Sequence, residues 1–369
     1  MRGLHKTIAR LTALSRDTAA GDDGGLAELG RFGSNPGKLR GLVHVPADLR
    51  PGAALVVVLH GCTQTAAGYD RGSGWSSLAD RHGFAVLFPE QGRANNSNLC
   101  FNWFVPADAR RGRGEALSIR QMIAAAIAAH GIDPARVFVT GLSAGGAMTA
   151  VMLAAYPDVF AGGAVIAGLP FASANSLPEA LERMRGSGGP SENRLTGLAA
   201  AASGHKGPYP TLSVWHGTGD HVVVPANADA IVAQWRGLHG VSDAPGRVET
   251  IDGHVRRVWI DSAGREVIEQ YVVAGMGHGV PLDTRGAAGC GVAGPHMFEA
   301  NICSTRRIAH SWGLTGEGAV RPAARPVPAI ATSPPAFERE FVAPARSVQA
   351  KSNVATVIED ALRAAGLMR

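Results

Sequence analysis

Residues 136–146 read RVFVTGLSAGG, a β-branched apolar run that leads into the pentapeptide Gly141-Leu-Ser-Ala-Gly145. A G-x-S-x-G pattern between a strand and a helix is typical of a nucleophile elbow, a sharp turn that exposes a serine hydroxyl. In a chain with 48 glycines the pentapeptide alone is a weak signal, and a glycine-rich turn with an incidental serine is the alternative. Its position between an apolar run and an alanine-rich helical pattern favours the elbow, with Ser143 as the nucleophile.

The runs around this segment alternate between strand-like and helix-like patterns. A continuous β-branched run such as residues 54–60 suits a strand that is buried on both faces of a parallel sheet. The sequence Asp261-Ser-Ala-Gly264 separates two further runs and indicates a β-hairpin. Strands that alternate with helices predict an α/β fold with a mostly parallel central sheet and helices on both faces. The predicted strands are 39–45, 54–60, 84–89, 136–141, 163–168, 211–217, 254–260 and 265–273, and the predicted helices are 115–130 and 144–156.

The chain divides into three predicted parts. Residues 1–38 contain a short amphipathic helix pattern and a linker rich in Gly, Asp and Ser, and residues 39–314 form the catalytic domain. Residues 315–369 combine a Pro- and Ala-rich linker with a tail helix, which would allow homo-oligomers to form through the terminal helices. Residues 171–210 interrupt the alternation and are expected to be an insertion over the edge of the sheet, where they would line part of the substrate cleft.

The composition excludes several classes of protein. With 46% hydrophobic and 18% charged residues the chain can bury a core, and its charge-free apolar runs are shorter than the roughly 20 residues that a membrane helix needs. The net charge of +5 is spread out apart from the cluster Arg110-Arg111-x-Arg113, so neither nucleic acid nor a membrane is a predicted partner. Basic residues recur through residues 1–20, where an export signal would need an uninterrupted apolar stretch, and this predicts a cytoplasmic location.

The four cysteines show no C-x-x-C spacing, which argues against a zinc cluster. Their spacing alone allows either two disulfides or four free thiols. The segment His216-Gly-Thr-Gly-Asp-His221 imitates part of an H-x-H-x-D-H zinc-hydrolase signature but has Thr218 at the second histidine position, so no metal and no cofactor is predicted. The cysteines are Cys62, Cys100, Cys290 and Cys303.

A serine nucleophile needs a base to take its proton, and behind a nucleophile elbow the chain order is serine, acid, histidine. Asp220 follows the predicted strand 211–217, His278 follows the last predicted strand, and both lie in Gly-rich loops. Asp220 and His278 are therefore the predicted acid and base. The other candidates are less well placed, because they fall inside a helix or strand pattern, in a hairpin turn or beyond the last strand; they are Asp229, Asp261, His254, His296 and His310.

An oxyanion hole is expected from two backbone N–H groups, one directly after the nucleophile and one in the loop after an earlier strand. Ala144 follows Ser143, and Cys62 follows the strongest predicted strand in the sequence His60-Gly-Cys62. The amides of Cys62 and Ala144 are therefore the predicted donors. Gln64, Trp103 and Trp215 are candidate substrate-binding residues.

Several short blocks occur in a fixed order along residues 32–314: LHGCTQ (59–64), SGW (73–75), LADR (78–81), FPEQ (88–91), CFNWF (100–104), GLSAGG (141–146), HGTGD (216–220) and GH (277–278). In these blocks the chain resembles the poly(3-hydroxybutyrate) depolymerase family of esterases, which also includes feruloyl and acetylxylan esterases. The resemblance implies an α/β-hydrolase fold, the triad Ser143, Asp220 and His278, and a disulfide between Cys62 and Cys100. Because family members are often secreted, an extracellular location is the alternative to a cytoplasmic one.

The chain differs from secreted depolymerases of this family in several features. It shows no signal-peptide pattern, no Thr-rich or fibronectin-like linker and no separate polymer-binding domain, and Gly279-Val-Pro281 follows His278 where an aromatic residue is common. The predicted function is a serine esterase that hydrolyses 3-hydroxybutyrate oligomers, amorphous polyester or related small esters through an acyl-enzyme. The alternatives are a feruloyl- or acetylxylan-type carbohydrate esterase and a non-catalytic protein that binds polymer granules.

Overall fold

The computed structural model describes residues 23–286 and 289–316, and the helix patterns predicted in residues 1–20 and 347–368 lie outside these residues. Within them the strands form one ten-stranded sheet and one two-stranded sheet. The strands are β1 (Ala27–Glu28), β2 (Arg40–His44), β3 (Leu55–Leu59), β4 (Ala85–Glu90), β5 (Val137–Leu142), β6 (Gly162–Ile166), β7 (Thr211–Gly217), β8 (Arg247–Ile251), β9 (His254–Ile260), β10 (Glu266–Val273), β11 (Val280–Leu282) and β12 (Met297–Glu299). The helices in the same residues are α1 (Ala66–Ser73), α2 (Trp75–His82), α3 (Gly114–His130), α4 (Ala144–Ala155), α5 (Leu177–Met184), α6 (Glu192–Ala201), α7 (Ala226–His239) and α8 (Ser304–Ser311).

The large sheet has a parallel centre and antiparallel edges. Its strand order is β1-β2-β4-β3-β5-β6-β7-β10-β9-β8, and the strands from β4 to β10 in this order pair in parallel. The strands β1 and β2 at one edge and β9 and β8 at the other pair antiparallel. The predicted mostly parallel sheet is therefore confirmed, and with a G-x-S-x-G turn directly after β5 the protein has an α/β-hydrolase fold.

The sheet separates two apolar cores, which explains why β3 is apolar at every position. Leu55, Val57 and Leu59 belong to one core, and Val56 and Val58 belong to the other. All five side chains are at most 1% exposed. Helix α4 is buried along its whole length of 12 residues, so it shows no polar face in its sequence.

Several helix ends are capped by the residues that flank them. At the start of α1 the Thr65 hydroxyl accepts the N–H of Gly68 at 3.1 Å. Helices α3 and α7 end at Gly131 and Gly240, which adopt the left-handed conformation. The longest helix in the described ranges is α3, with 17 residues, and no helix there is long and apolar enough to cross a membrane.

The prediction that residues 171–210 cover the edge of the sheet is wrong. These residues contain α5 and α6, but they connect β6 to β7, which are direct neighbours in the middle of the sheet. A connection between adjacent parallel strands crosses a face of the sheet. On that face α6 packs against α7.

Both edges of the sheet contain a strand that is absent from the predicted set. In the expected linker, β1 pairs with β2 and the neighbouring Leu26 is buried, so residues 23–38 pack onto the domain. At the other edge β8 is mostly exposed, with Val248 60% exposed, and its sequence therefore lacks the alternation of a half-buried strand. The hairpin strands β9 and β10 are confirmed.

All four cysteines form disulfides. Cys62, in the loop after β3, is bonded to Cys100, in the loop after β4, across 38 residues. Cys290 is bonded to Cys303, which caps α8, across 13 residues. Of the two possibilities that the spacing allowed, the structure has the disulfides, and the first pair is the one that the family resemblance implies.

The first turn of α4 requires glycine because the helix starts almost in contact with β3. A Cβ atom at Gly145 would lie 2.3 Å from the carbonyl oxygen of Leu59 and 2.5 Å from that of His60. Both oxygens belong to the backbone of a central strand or the residue that ends it, so neither can rotate away. Gly145 therefore sets how closely the start of α4 approaches the loop after β3.

We expect Gly145→Ala to lower the free energy of unfolding by about 2–3 kcal/mol or more, because the added methyl group has to displace backbone. The matched control is Gly197→Ala in α6, where an added Cβ meets nothing within 4 Å. There the change should raise stability by about 0.5–1 kcal/mol, because alanine favours the helix. Urea unfolding of both variants measures the change in the free energy of unfolding. Equal changes in the two variants would contradict the close contact of Gly145 with the backbone of Leu59 and His60.

Candidate active site

Ser143 occupies a strained turn between β5 and α4. Its backbone has φ 58° and ψ −116°, a combination that costs about 1–3 kcal/mol for a residue with a side chain. The turn is held by the N–H of Ser143, which donates to the carbonyl oxygen of Ile166 at 2.9 Å, and by its own carbonyl, which accepts the N–H of Ala147 at 2.8 Å. Ser143 is 9% exposed, so the strained turn leaves part of the residue open to solvent in an otherwise buried region.

Asp220 lies in the loop after β7 and is 1% exposed. One carboxylate oxygen, Oδ1, accepts the N–H groups of Val222 and Val223, each at 2.9 Å. The other, Oδ2, faces two histidines, with His278 Nδ1 at 2.7 Å and His216 Nε2 at 3.2 Å. Burial alone would raise the pKa of Asp220, but the hydrogen bonds with His216 and His278 outweigh it and hold the pKa well below its usual range.

His278 lies in the loop after β10 and is 6% exposed. Because the ionised Asp220 carboxylate can only accept, Nδ1 of His278 must donate the proton in their hydrogen bond. In the neutral ring Nε2 then carries a free lone pair. This Nε2 atom is buried and has no hydrogen-bond partner among the described residues. The arrangement leaves a proton acceptor available at the carboxyl edge of the sheet, where Ser143 also lies.

The loop that contains the predicted acid Asp220 and the loop that contains the predicted base His278, the acid and base loops, are joined by backbone hydrogen bonds. The N–H groups of Thr218 and Gly219 donate to the carbonyl oxygens of Val273 and Met276, both at 2.9 Å. A Cβ atom at Gly217 would lie 2.1 Å from the Met276 oxygen. The two loops therefore pack with no space for a side chain at Gly217, and this close approach explains that glycine before Asp220. Before His278, Gly275 has room for a Cβ atom but adopts φ 71°, which favours glycine.

The loop after β3 leaves one amide without an acceptor. The N–H of Gly61 donates to Oε1 of Gln64 at 2.8 Å, and the N–H of Thr63 donates to the carbonyl of Asn98 at 2.7 Å. The N–H of Cys62, between them, donates to no acceptor among the described residues. Ala144 is the first residue of α4, a position whose N–H has no partner within a helix. The two predicted oxyanion donors are thus free to bind an anion.

The predicted substrate-binding residues have other environments. Oε1 of Gln64 is occupied by Gly61, so this oxygen fixes the loop. Trp103 is 7% exposed in the core and lines a cavity of about 360 Å³ together with Phe104 and Phe171. For Trp215 the prediction is wrong: it is fully buried and stacked on Tyr271, with ring centroids 3.7 Å apart. Its position inside β7, before the carboxyl end of the strand, keeps it away from the loops.

Two further histidines contact the acid and base. His216 shares Asp220 with His278, and its Nε2 also donates to the carbonyl of Val223 at 2.7 Å. His296 donates from Nδ1 to the carbonyl oxygen of His278 at 2.9 Å. The sequence signal for His216 was its spacing from Asp220, which also resembles a zinc motif. No group of three His, Cys, Asp or Glu side chains in residues 23–286 and 289–316 is arranged to hold a metal ion.

The sequence is similar to those of known esterases and depolymerases. The family described as Esterase PHB depolymerase matches residues 44–257. The chain is 46% identical over 293 residues to poly(3-hydroxyalkanoate) depolymerase C of Paucimonas lemoignei, which covers 79% of this chain and 70% of the relative. It is 33% identical over 269 residues to feruloyl esterase B of Talaromyces funiculosus, which covers 70% of this chain and 74% of the relative.

A solved structure shares the fold over most of the chain. The acetyl xylan esterase from Aspergillus awamori superposes with a TM-score of 0.67 at 25% identity, covering 79% of this chain and 100% of that one. The match to the family spans more than half of the chain, and the relatives are esterases or depolymerases. The chain therefore belongs to the esterase PHB depolymerase family and is a carboxylic ester hydrolase.

Proposed function

We propose that Ser143, His278 and Asp220 form the catalytic triad of this ester hydrolase. The observation that supports the proposal most directly is the hydrogen bond between Asp220 Oδ2 and His278 Nδ1 at 2.7 Å, which leaves Nε2 of His278 without a partner. A serine hydroxyl is a weak nucleophile until such a nitrogen takes its proton. Ser143 sits on the turn that exposes a nucleophile in this fold.

The proposed reaction has two half-reactions. Oγ of Ser143 attacks the ester carbonyl while Nε2 of His278 takes the hydroxyl proton, and a tetrahedral intermediate forms. The intermediate collapses to an acyl-enzyme as His278 returns the proton to the leaving alcohol. Water then attacks the acyl carbonyl with His278 again as the base, and the carboxylic acid leaves Ser143, which regains its proton.

Charge develops on the oxyanion of the tetrahedral intermediate and on the imidazolium of His278, and we propose a group that stabilises each of them. The amides of Cys62 and Ala144 donate to the oxyanion. Loss of one such donor lowers kcat by a factor of roughly 10²–10³. The Asp220 carboxylate, kept ionised by its low pKa, stabilises the imidazolium of His278 and fixes its tautomer. Nε2 of His216, which donates to the carbonyl of Val223, also lies 3.2 Å from Asp220 Oδ2 and adds a second polar contact to the carboxylate.

We further propose that the substrates are esters of 3-hydroxyalkanoic acids, as oligomers or amorphous polymer. The support is the identity of 46% to a protein named poly(3-hydroxyalkanoate) depolymerase C, against 33% to a feruloyl esterase. The second candidate is a carbohydrate esterase that releases ferulate or acetate. This candidate is favoured by the structural similarity to an acetyl xylan esterase. The two structures superpose with a TM-score of 0.67 over the whole chain of that esterase.

We propose an oxidising compartment outside the cytoplasm as the site of action, which replaces the cytoplasmic prediction. The support is that all four cysteines are paired, as Cys62–Cys100 and Cys290–Cys303. Structural disulfides persist in oxidising compartments and are rare in the cytosol, where thiols are kept reduced.

Ser143→Ala should lower hydrolysis of p-nitrophenyl butyrate by a factor of roughly 10⁴ or more and abolish labelling by a serine-directed phosphonate, because the acyl-enzyme cannot form. The matched control is Ser187→Ala, which changes an exposed hydroxyl bonded to the carbonyl of Glu182. The control should keep both activity and labelling. If Ser143→Ala is still labelled, the nucleophile is elsewhere, and a wild-type chain that binds granules without reacting would favour the non-catalytic alternative.

A substrate comparison separates the two ester classes. We expect kcat/KM for a 3-hydroxybutyrate trimer to exceed that for methyl ferulate and for acetylated xylan at least tenfold, and Ser143→Ala to abolish all three activities. Product acids are quantified by chromatography with matched enzyme concentrations. A preference for methyl ferulate or for acetylated xylan would reverse the assignment of substrate and leave the proposed triad intact.

If the protein acts in an oxidising compartment, its stability should depend on the two disulfides. Enzyme made in an oxidising compartment should have no titratable thiol after unfolding without reductant. The same chain made in a reducing cytoplasm should be less stable by about 2–4 kcal/mol for each missing bridge. Urea unfolding and thiol titration measure the two quantities. Equal stability of the oxidised and reduced chains would remove the support for an oxidising compartment.

A further inference from the structure

Glu115 is a buried carboxylate that the proposed reaction does not use. It lies in the first turn of α3 and has no exposed surface. Its Oε1 accepts side-chain N–H groups from Gln91 at 2.7 Å, Asn95 at 3.1 Å and Asn102 at 2.7 Å, and its Oε2 accepts the backbone N–H of Asn102 at 2.8 Å. All four partners are donors, so both oxygens of the Glu115 carboxyl group act as acceptors.

The donors all come from a stretch of chain that has neither helix nor strand. Residues 91–113 connect β4 to α3, and none of them belongs to a regular element. In such a stretch the backbone cannot be held by a ladder of hydrogen bonds, so other contacts have to fix it. Burial raises the pKa of Glu115 to about 8, against the donors from Asn102 and Gln91, so loss of a donor would favour the neutral form further.

The stretch held by Glu115 is bonded to the loop after β3 at three points. One is the hydrogen bond from the N–H of Thr63 to the carbonyl of Asn98, and the other two lead to Gln91. The backbone N–H of Gln91 donates to Nε2 of His60 at 3.1 Å, so the proton of this ring is on Nδ1, which donates to the carbonyl oxygen of Gly61 at 2.7 Å. Burial lowers the pKa of His60 to about 4, which keeps the ring neutral. This path connects Glu115 to the residue directly before Cys62.

The other point that leads to Gln91 is the disulfide. The side-chain amide of Gln91, which donates to Glu115, also donates to the carbonyl oxygen of Cys100 at 3.0 Å. Cys100 is bonded to Cys62. The Cys62 amide is therefore fixed from both sides, by the His60–Gly61 backbone and by the Cys100 sulfur, and both attachments lead through Gln91 to one carboxylate.

We infer that Glu115 is a positioning residue for the oxyanion loop: it acts through Gln91 to hold the Cys62 amide where the oxyanion forms. This inference rests on the proposed function of that amide. The contact with the oxyanion is made fully only in the transition state, so displacing the amide lowers kcat and kcat/KM together and leaves KM nearly unchanged.

Glu115→Gln tests this role, because it keeps the shape of the side chain and turns one acceptor oxygen into an NH₂ group that faces donors. We expect kcat for p-nitrophenyl butyrate to fall at least tenfold per phosphonate-titrated active site, with KM changed less than about twofold. The matched control is Ser118→Ala, one turn further along α3. Ser118 is also buried and its hydroxyl accepts the N–H of Gly37 at 2.8 Å, but it makes no hydrogen bond to Glu115, Gln91 or Asn102.

Ser118→Ala should lower the urea midpoint of unfolding, because the N–H of Gly37 loses its acceptor, and leave kcat per titrated site unchanged. The inference is overturned if Glu115→Gln behaves like this control, because a merely structural residue alters the amount of folded enzyme and not the turnover of each titrated site. If Glu115→Gln does not fold, Gln91→Leu takes its place, with the same expected fall in kcat and the same overturning result. A wild-type enzyme that neither hydrolyses the ester nor is labelled at Ser143 would instead refute the proposed function.

Discussion

The contact of the start of α4 with the end of β3, where Gly145 lies against the backbone oxygens of Leu59 and His60, is the constraint on which the rest of the site depends. It presses the helix into the sheet so closely that the chain has to reverse at Ser143 in a strained conformation. Strain of about 1–3 kcal/mol persists only where the surroundings determine the backbone. Here all 12 residues of α4 are buried, and burying each large apolar side chain contributes about 1.5–3 kcal/mol, so the packing of the helix outweighs the strain.

Parallel pairing then brings the other loops to the same edge. Because β5, β6, β7 and β10 run in one direction, the residues that follow them emerge together. Asp220 and His278 are 58 residues apart in the chain, yet their strands β7 and β10 are direct neighbours. Backbone hydrogen bonds between the two loops fix the distance from carboxylate to imidazole. The short contact at His278 Nδ1 is therefore a consequence of the strand order.

The sequence predicts those parts of the molecule that local pattern and chain direction determine. The elbow, Asp220 and His278 could be placed because each follows a recognisable apolar strand. Trp215 could not be placed, because β7 is buried on both faces and its sequence does not show which side chains face which core. The insertion could not be placed either, since strand order decides whether a connection crosses a face or an edge. Glu115 looks like an ordinary acidic residue at a helix start, and its partners lie 13 to 24 residues away in the chain.

The acid and base loops form one half of the site and the loop after β3 forms the other, and different contacts hold the two halves in place. The difference follows from how far each half lies from a helix or strand. The acid and base loops are short, and backbone contacts extended from β7 and β10 hold them. The loop after β3 faces residues 91–113, which have no regular structure, and a disulfide and a buried carboxylate replace the missing ladder. Within that loop the amides of Gly61 and Thr63 are both bonded, so the amide of Cys62 is left to point elsewhere. An N–H that no other group of the protein occupies can donate to charge that develops during a reaction, which is what the proposed oxyanion role of the Cys62 amide requires.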